Sequence, residues 1–429
     1  MKQVKLYPHQ ERALQETKDF NRVGYFLDMG LGKTFVGSEK LMSLNKDDAK
    51  HLLICQKSKI ADWRSHFADY YKYEISAYDL TDKKQWNDFW ENPCGFKYQL
   101  GIINYELAFR RPALLMLKHY TLMLDESSMI TNPTAKRSKF IHKLQPDNVI
   151  LLSGTPTGGK YEKLWSQLKL LGWSISKYLF YKQYVATEWI EDDSGFKIPV
   201  IVGYKNVDRL KAKLKQHGCI FMKTEEVFDL PEQVEIPVMV GSTKEFRYFM
   251  RNSVVTVEDK ELIGDTALTK RMYARQLCGQ YNKAKLAAFQ NLVESTDERL
   301  IVFYNFNEEL YRMKTIIEQL EKPISIVNGS VKDFEAYENQ SDSVILLQYQ
   351  AGSKGLNLQK ANKMIFFTLP QSPEDFEQAK KRIHRIGQAN NCFYYYLIAQ
   401  NSVEGRILDT LRLRKEYDDE LFKKYEAEF

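Results

Sequence analysis

A glycine-rich turn followed by Lys and Thr is the tightest constraint in this chain. Asp28-Met29-Gly30-Leu31-Gly32-Lys33-Thr34 follows the apolar run Tyr25–Leu27 and precedes a helix-like stretch, Phe35–Leu44. Strand, glycine turn, Lys-Thr and helix together form a phosphate-binding layout. Backbone N–H groups and a helix N-terminus hold phosphate oxygens, a Lys reaches the terminal phosphates, and a Thr hydroxyl binds Mg²⁺. The strict pattern places a glycine six residues before the Lys, where this chain has Leu27.

The rest of the chain supplies the strands such a loop needs. Short apolar runs at His51–Cys55, Leu100–Asn104, Tyr120–Leu124 and Val149–Leu152 alternate with helical stretches. That alternation predicts an α/β fold whose parallel sheet carries its site at the carboxyl edge. The run ending at Leu124 delivers two consecutive carboxylates, Asp125 and Glu126, which need water, a metal or a partner. Beside a phosphate loop, Asp125 holds Mg²⁺ through water and Glu126 polarises the water that attacks the γ-phosphate. Val149–Leu152 runs into Ser153-Gly154-Thr155-Pro156, whose small hydroxyl residues suit a phosphate sensor.

Two further features belong with this half. Gln10, after Tyr7-Pro8, offers an amide that both donates and accepts, as an adenine edge requires. Lys57 and Ser58 stand at a strand end, where they suit a phosphate backbone. Trp63 and Phe67 are spaced i,i+4 and are most simply core.

From Trp165 to about Lys285 the pattern reads as mostly helical, with a turn at Asp192–Gly195. A second alternating block begins near Arg299, with strands at 300–304, 324–327, 344–348, 364–367 and 393–398, and a charged helix from Val403 onward. This block has no phosphate loop. It has Arg382 and Arg385, three residues apart and expected on one helix face. Guanidinium groups reaching a neighbouring domain's nucleotide stabilise transition-state charge.

Composition sets outer limits. The 429 residues suit two or three domains, and a net charge of +6 permits a nucleic-acid partner without demanding one. Five scattered cysteines without metal-ligand spacing suggest reduced thiols in a cytosol-like compartment. No apolar run approaches a membrane span and no signal peptide is read at the start, so a secreted or membrane-spanning protein is not expected.

Taken in order, the motifs resemble those of the superfamily 2 helicase-like ATPases, and within them the SNF2 family. The resemblance rests on Gln10, Gly30–Thr34, Asn104-Tyr105-Glu106, Asp125-Glu126, Ser153–Pro156, Gly355-Leu356-Asn357-Leu358 and Gln378–Gln388, and it covers nearly the whole chain. It implies two RecA-like parallel-sheet lobes with ATP in the cleft between them and a helical insertion region. The expected domains are lobe 1 over 1–230, a helical insertion or linker over 231–285, and lobe 2 over 286–429.

By the same resemblance Gln10 reads adenine, and Gly30, Gly32, Lys33, Thr34 and Gly355 hold the nucleotide. Thr34 and Asp125 hold Mg²⁺. Glu126 is the base, Arg382 and Arg385 are fingers, and Gln378 faces the γ-phosphate. Lys57, Ser58, Asn104, Tyr105, Ser153, Thr155, Ser353 and Asn357 contact nucleic acid or couple it to the nucleotide.

The implied function is an ATP-driven DNA motor, on duplex in preference to single-stranded or forked DNA. It would act as a monomer in the cytoplasm (the host's, if phage-encoded), with a loading protein left open. A strand-separating or fork-remodelling helicase is the first alternative, and a non-catalytic nucleic-acid-binding scaffold the second.

Four departures mark a compact, divergent member, of phage or mobile-element type; one is the loop after Asn328-Gly329, which lacks the family's frequent Arg. The family follows Asp-Glu with Ala-His, where this chain has Ser127-Ser128. Phe221-Met222 replaces an arginine pair, and Gln371-Ser372-Pro373 replaces Trp-Asn-Pro. Coupling through the missing His must be rerouted or weakened.

Overall fold

The computed structural model describes residues 4–44, 50–92, 95, 98–191, 196–349 and 356–422, the side chains of 417–422 excepted. The chain divides into two compact units, Met1–Val227 with Tyr417–Phe429, and Phe228–Glu416.

The first unit is built on a seven-stranded sheet. Its strands are β1 (Arg22–Leu27), β2 (Lys50–Cys55), β3 (Ser76–Asp79), β4 (Gln99–Asn104), β5 (Thr121–Asp125), β6 (Asn148–Leu152) and, beyond a separate hairpin, β9 (Cys219–Met222). They lie in the order β3-β4-β2-β5-β6-β1-β9 and every pairing is parallel. Leu52, Leu53 and Ile54 are successive and all buried, as are Leu122, Met123 and Leu124. Such runs, apolar on both faces, belong to a parallel sheet covered by helices on each side. Consequently β5, β6 and β1 are neighbours, and their carboxyl ends fall side by side.

The second unit holds a six-stranded parallel sheet. Its members are β10 (Gln233–Val240), β13 (Leu300–Tyr304), β14 (Ile324–Val327), β15 (Val344–Gln348), β16 (Lys363–Phe366) and β17 (Cys392–Ala399), in the order β10-β17-β16-β13-β15-β14. Its alternation is visible in the core. Ile301 and Phe303 pack with Ile345, Leu347, Met364 and Phe366 on one face. Leu300, Val302 and Tyr304 pack with Val344, Leu346 and Ile365 on the other.

The stretch expected to be mostly helical is mixed. Within it, Val185–Glu191 (β7) and Lys197–Tyr204 (β8) form an antiparallel hairpin, as do Val254–Val257 (β11) and Lys260–Ile263 (β12). β9 and β10 each join a main sheet. β11 and β12 are four residues each and β7 is mostly exposed, so their apolar period is weak and cross-strand pairing decides their conformation. Residues 231–285 accordingly open with a sheet strand: β10 runs parallel to β17 over its whole length. The turn expected at Asp192–Gly195 lies outside the described residues.

Among the described residues no helix is long and apolar enough to cross a membrane. Cys55, Cys219, Cys278 and Cys392 are buried free thiols, and burial raises the proton affinity of each.

Candidate active site

The loop after β1 folds as the glycines dictate. Gly30 has φ +89° and Gly32 φ +73°, left-handed conformations that residues with a Cβ adopt at a cost. Gly32 caps the helix Lys33–Ser43, whose first N–H groups therefore face the loop. A Cβ at Gly32 would stand 2.1 Å from Gln10 Nε2, so the glycine also makes room for the glutamine.

Gln10 is buried and locked from both ends of its amide. Its Nε2 donates to Leu31 O at 3.0 Å, and its Oε1 accepts from Tyr7 N at 2.9 Å. His9 Nε2 lies 3.0 Å from the same Leu31 carbonyl. Lys33 Nζ donates to Leu27 O at 2.9 Å and to Asp28 O at 3.2 Å. The loop is held from behind by a distant residue: Thr224 Oγ1 donates to Asp28 Oδ2 and to Met29 O, both at 3.1 Å.

The carboxylate pair closes the next strand but one. Asp125 ends β5, and its Oδ2 accepts from Trp63 Nε1 at 2.8 Å. Burial raises its pKa above the ordinary carboxylate range, while the Trp63 hydrogen bond and the Lys33 charge oppose that rise. Glu126 follows at φ +54°, a left-handed backbone for a non-glycine residue. Tyr105 OH donates to Asp125 O at 2.8 Å and supports the turn from below. Between these strands, β6 leads into the buried Ser153, whose Oγ accepts from Thr155 N at 3.2 Å. A Cβ at Gly154 would come within 3.3 Å of Lys33 Nζ, so this turn abuts the lysine. The Thr155 hydroxyl oxygen is buried without a hydrogen-bond partner among the described residues.

The structure therefore brings Gly30, Gly32, Lys33, Thr34, Asp125, Glu126, Ser153 and Thr155 to the carboxyl ends of three adjacent strands, with Gln10 against the loop. The donors suit a hard cation, since Thr34 and Asp125 offer oxygen only, and Mg²⁺ takes few protein ligands beside water and phosphate.

Other expected residues fall differently. Lys57 and Ser58 lie exposed in a 3₁₀ turn after β2. Asn104 is buried and donates from Nδ2 to Glu106 Oε2 at 3.0 Å. Tyr105 is fully buried, so its side chain has no surface to offer a nucleic acid. Its ring adds to the core and its hydroxyl serves the carboxylate turn.

In the second unit, Gln378 stands half-buried on the helix Pro373–Lys380. The helix face expected to carry both arginines does not exist, because that helix ends at Lys380 and the arginines occupy the turns beyond it. Local turn bonds persist, with Arg382 N donating to Ala379 O at 3.0 Å and His384 N to Lys380 O at 3.3 Å; Tyr394 OH also donates to Lys380 O at 3.0 Å, and Gly387 takes φ +94°. Arg382 is buried and donates from Nη1 to Leu356 O at 2.9 Å. Arg385 is only partly buried, and desolvation lowers its pKa. Asn357 is exposed, while Ser353 and Gly355 lie outside the described residues.

Four residues in this site escape pattern reading: Trp63, Tyr105 in its actual role, Thr224, and Gln167, whose buried amide accepts from Ser127 Oγ and donates to Pro156 O. Trp63 carries one usable signal, since a buried indole N–H needs an acceptor.

Residues 20–283 match the SNF2-related domain and residues 284–387 the helicase conserved C-terminal domain. The human SWI/SNF-related matrix-associated actin-dependent regulator of chromatin subfamily A member 1 is 23% identical, over 91% of this chain and 41% of its own. The putative ATP-dependent helicase/translocase YwqA of Bacillus subtilis is 23% identical, over 92% of this chain and 46% of its own. The Sulfolobus solfataricus SWI2/SNF2 ATPase core, solved in complex with dsDNA, is 20% identical with a TM-score of 0.44, covering 97% of this chain and 92% of that one. The chain thus spans less than half the length of these two curated relatives. With one family model matching more than half of its residues, the chain belongs to the SNF2 family.

Proposed function

We propose that this chain is an ATP-driven motor that moves along duplex DNA. The observation that carries the reading is the convergence of the Gly30–Thr34 loop, Asp125-Glu126 and Ser153–Thr155 on three adjacent strand ends. Gln10 reads the adenine edge after exchanging its Leu31 contact for the base. Lys33 exchanges the Leu27 and Asp28 carbonyls for phosphate oxygens. Glu126, held by its strained backbone, takes the proton of the attacking water. Thr34 and Asp125 hold Mg²⁺, which when bound neutralises phosphate charge. Arg382 and Arg385 are the residues assigned to supply positive charge to the γ-phosphate, and Gln378 to face the same group. Lys57 and Ser58 grip phosphates, so binding is salt-sensitive and weak in sequence preference. Such a motor works in a reducing, nucleic-acid-containing compartment, in keeping with its buried thiols.

The test is steady-state ATP hydrolysis alone and with duplex, single-stranded and forked DNA and with RNA. Strong stimulation by plain duplex is expected. Glu126→Gln is expected to abolish turnover by about 10²–10⁴-fold while sparing ATP binding. Unchanged turnover removes Glu126 from the role.

One feature favours strand separation as a second reading. The β7–β8 hairpin exposes Trp189 by 68% and Phe196 by 71%, as a wedge would. A preference for forked DNA that is lost in Trp189→Ala selects that reading.

A further inference from the structure

Gln167 is fully buried between the two turns that flank the reacting phosphate in the reading above. Its Oε1 accepts from Ser127 Oγ at 2.7 Å, and its Nε2 donates to Pro156 O at 2.7 Å. The direction is forced. A carbonyl only accepts, so the amide nitrogen faces Pro156, and the amide oxygen must then receive the Ser127 hydroxyl proton. Ser127 directly follows Glu126 and is itself fully buried. Pro156 directly follows Thr155, in the turn whose Gly154 abuts the Lys33 ammonium.

We propose that Gln167 is a positioning residue that ties the Glu126 turn to the Ser153–Pro156 turn, so that a shift of Lys33 toward phosphate is passed to the catalytic base. The proposal rests on the ATPase reading. Its logic is mechanical. The Glu126 backbone is strained at φ +54° and has a lower-energy alternative unless its neighbours hold it. Ser127 is the next residue, and its side chain makes a buried bond to a residue of another element. That bond runs through an amide with both ends occupied, so a displacement of one turn reaches the other without slack. On this route the Ser127–Gln167 pair performs the coupling for which the chain has no His at position 128.

A double-mutant cycle separates positioning from support. Ser127→Ala and Gln167→Met each leave a buried polar group without a partner and should lower the melting temperature. The double variant removes both sides of the Ser127–Gln167 bond and should regain part of the Gln167→Met loss, the Pro156 carbonyl staying without its donor. Turnover is expected to behave otherwise. Each single variant should lose about tenfold in kcat with duplex DNA, with the apparent KM for ATP within about twofold. The double variant should stay as slow as the singles although it melts higher than Gln167→Met. Recovery of turnover together with melting temperature overturns the proposal, because the bridge is then only structural. So do additive losses in kcat, or losses that appear in KM instead. Should Gln167→Met not fold, Ser127→Ala with its melting curve and binding of a fluorescent ATP analogue decides: normal affinity with slowed turnover supports the relay, and normal turnover overturns it. Absence of hydrolysis by the wild type under every condition is a different result, and it overturns the ATPase reading itself.

Discussion

Trp63 Nε1 donates to Asp125 Oδ2 at 2.8 Å, so an indole from the helix Ile60–Tyr70 sets the orientation of the carboxylate assigned to the metal. The bond opposes the burial that raises the Asp125 pKa. Trp63→Phe keeps an aromatic ring in the core and removes the donor. The carboxylate then ionises only at higher pH, and the acid limb of the pH–rate profile moves upward. A hydrogen bond to a charged group stabilises by about 1.5–3 kcal/mol, so turnover at neutral pH should drop by roughly 10- to 150-fold. A variant profile that overlays the wild type's removes Trp63 from this role.

Gly30 and Gly32 are distinguishable by substitution. Both have positive φ, but an added Cβ meets nothing within 4 Å at Gly30 and meets Gln10 Nε2 at 2.1 Å at Gly32. Gly30→Ala should cost only backbone strain, about 1–3 kcal/mol. Gly32→Ala should in addition displace Gln10. Only the second is expected to narrow the preference for ATP over GTP, read by competition binding. Equal selectivity in the two variants contradicts the adenine role of Gln10.

The two arginines should separate by stability. Arg385→Ala is expected to cut turnover by more than about 100-fold with ATP affinity within a few-fold and an unchanged melting curve. Arg382→Ala removes a buried guanidinium and its bond to Leu356 O, and should also lower the melting temperature by roughly 4–8 °C. Equal losses in turnover and affinity for Arg385→Ala argue against a finger.

Glu235 joins β10 to the segment that carries the arginines. Its Oε1 meets Lys380 Nζ at 2.6 Å and its Oε2 meets Arg412 Nη2 at 3.2 Å. Burial pushes its pKa up, but Lys380, Arg412 and Tyr396 overcome that and hold it at about 2. An acid whose folded pKa is depressed stabilises the fold above its ordinary pKa, and that stabilisation is lost as pH falls through the folded one. The wild type should therefore lose melting temperature between about pH 4.5 and pH 2. Glu235→Gln should melt lower at pH 7 and show a shallower acid slope. Parallel slopes sink the assignment.

Much of the fold was legible because both sheets are parallel. A strand buried on both faces shows as a short, wholly apolar run, and the runs ending at Leu27, Cys55, Leu124 and Leu152 are of that kind. β7 and β8 are largely solvent-exposed, and the apolar run Ile198–Val202 in β8 lies in a stretch whose pattern reads as mostly helical. The phosphate loop and the carboxylate pair were legible because their chemistry restricts residue type. The supports under them were not. Tyr105, Gln167 and Thr224 act through contacts between distant segments, and nothing in their local sequence announces a partner. The arginine turn was misread for a related reason: i,i+3 spacing describes a helix face only where the helix continues, and Lys380 ends this one.

The clamp of Thr224 on Asp28 spans 196 residues, and β1 itself pairs with β9 as well as β6. On a ribosome the glycine loop therefore emerges long before the segment that holds it. At about 5–20 residues per second, roughly 10–40 s of synthesis separate the two. The phosphate site is thus among the last parts of the first unit to mature, and a nascent chain that has not reached Thr224 carries the motif without the clamp.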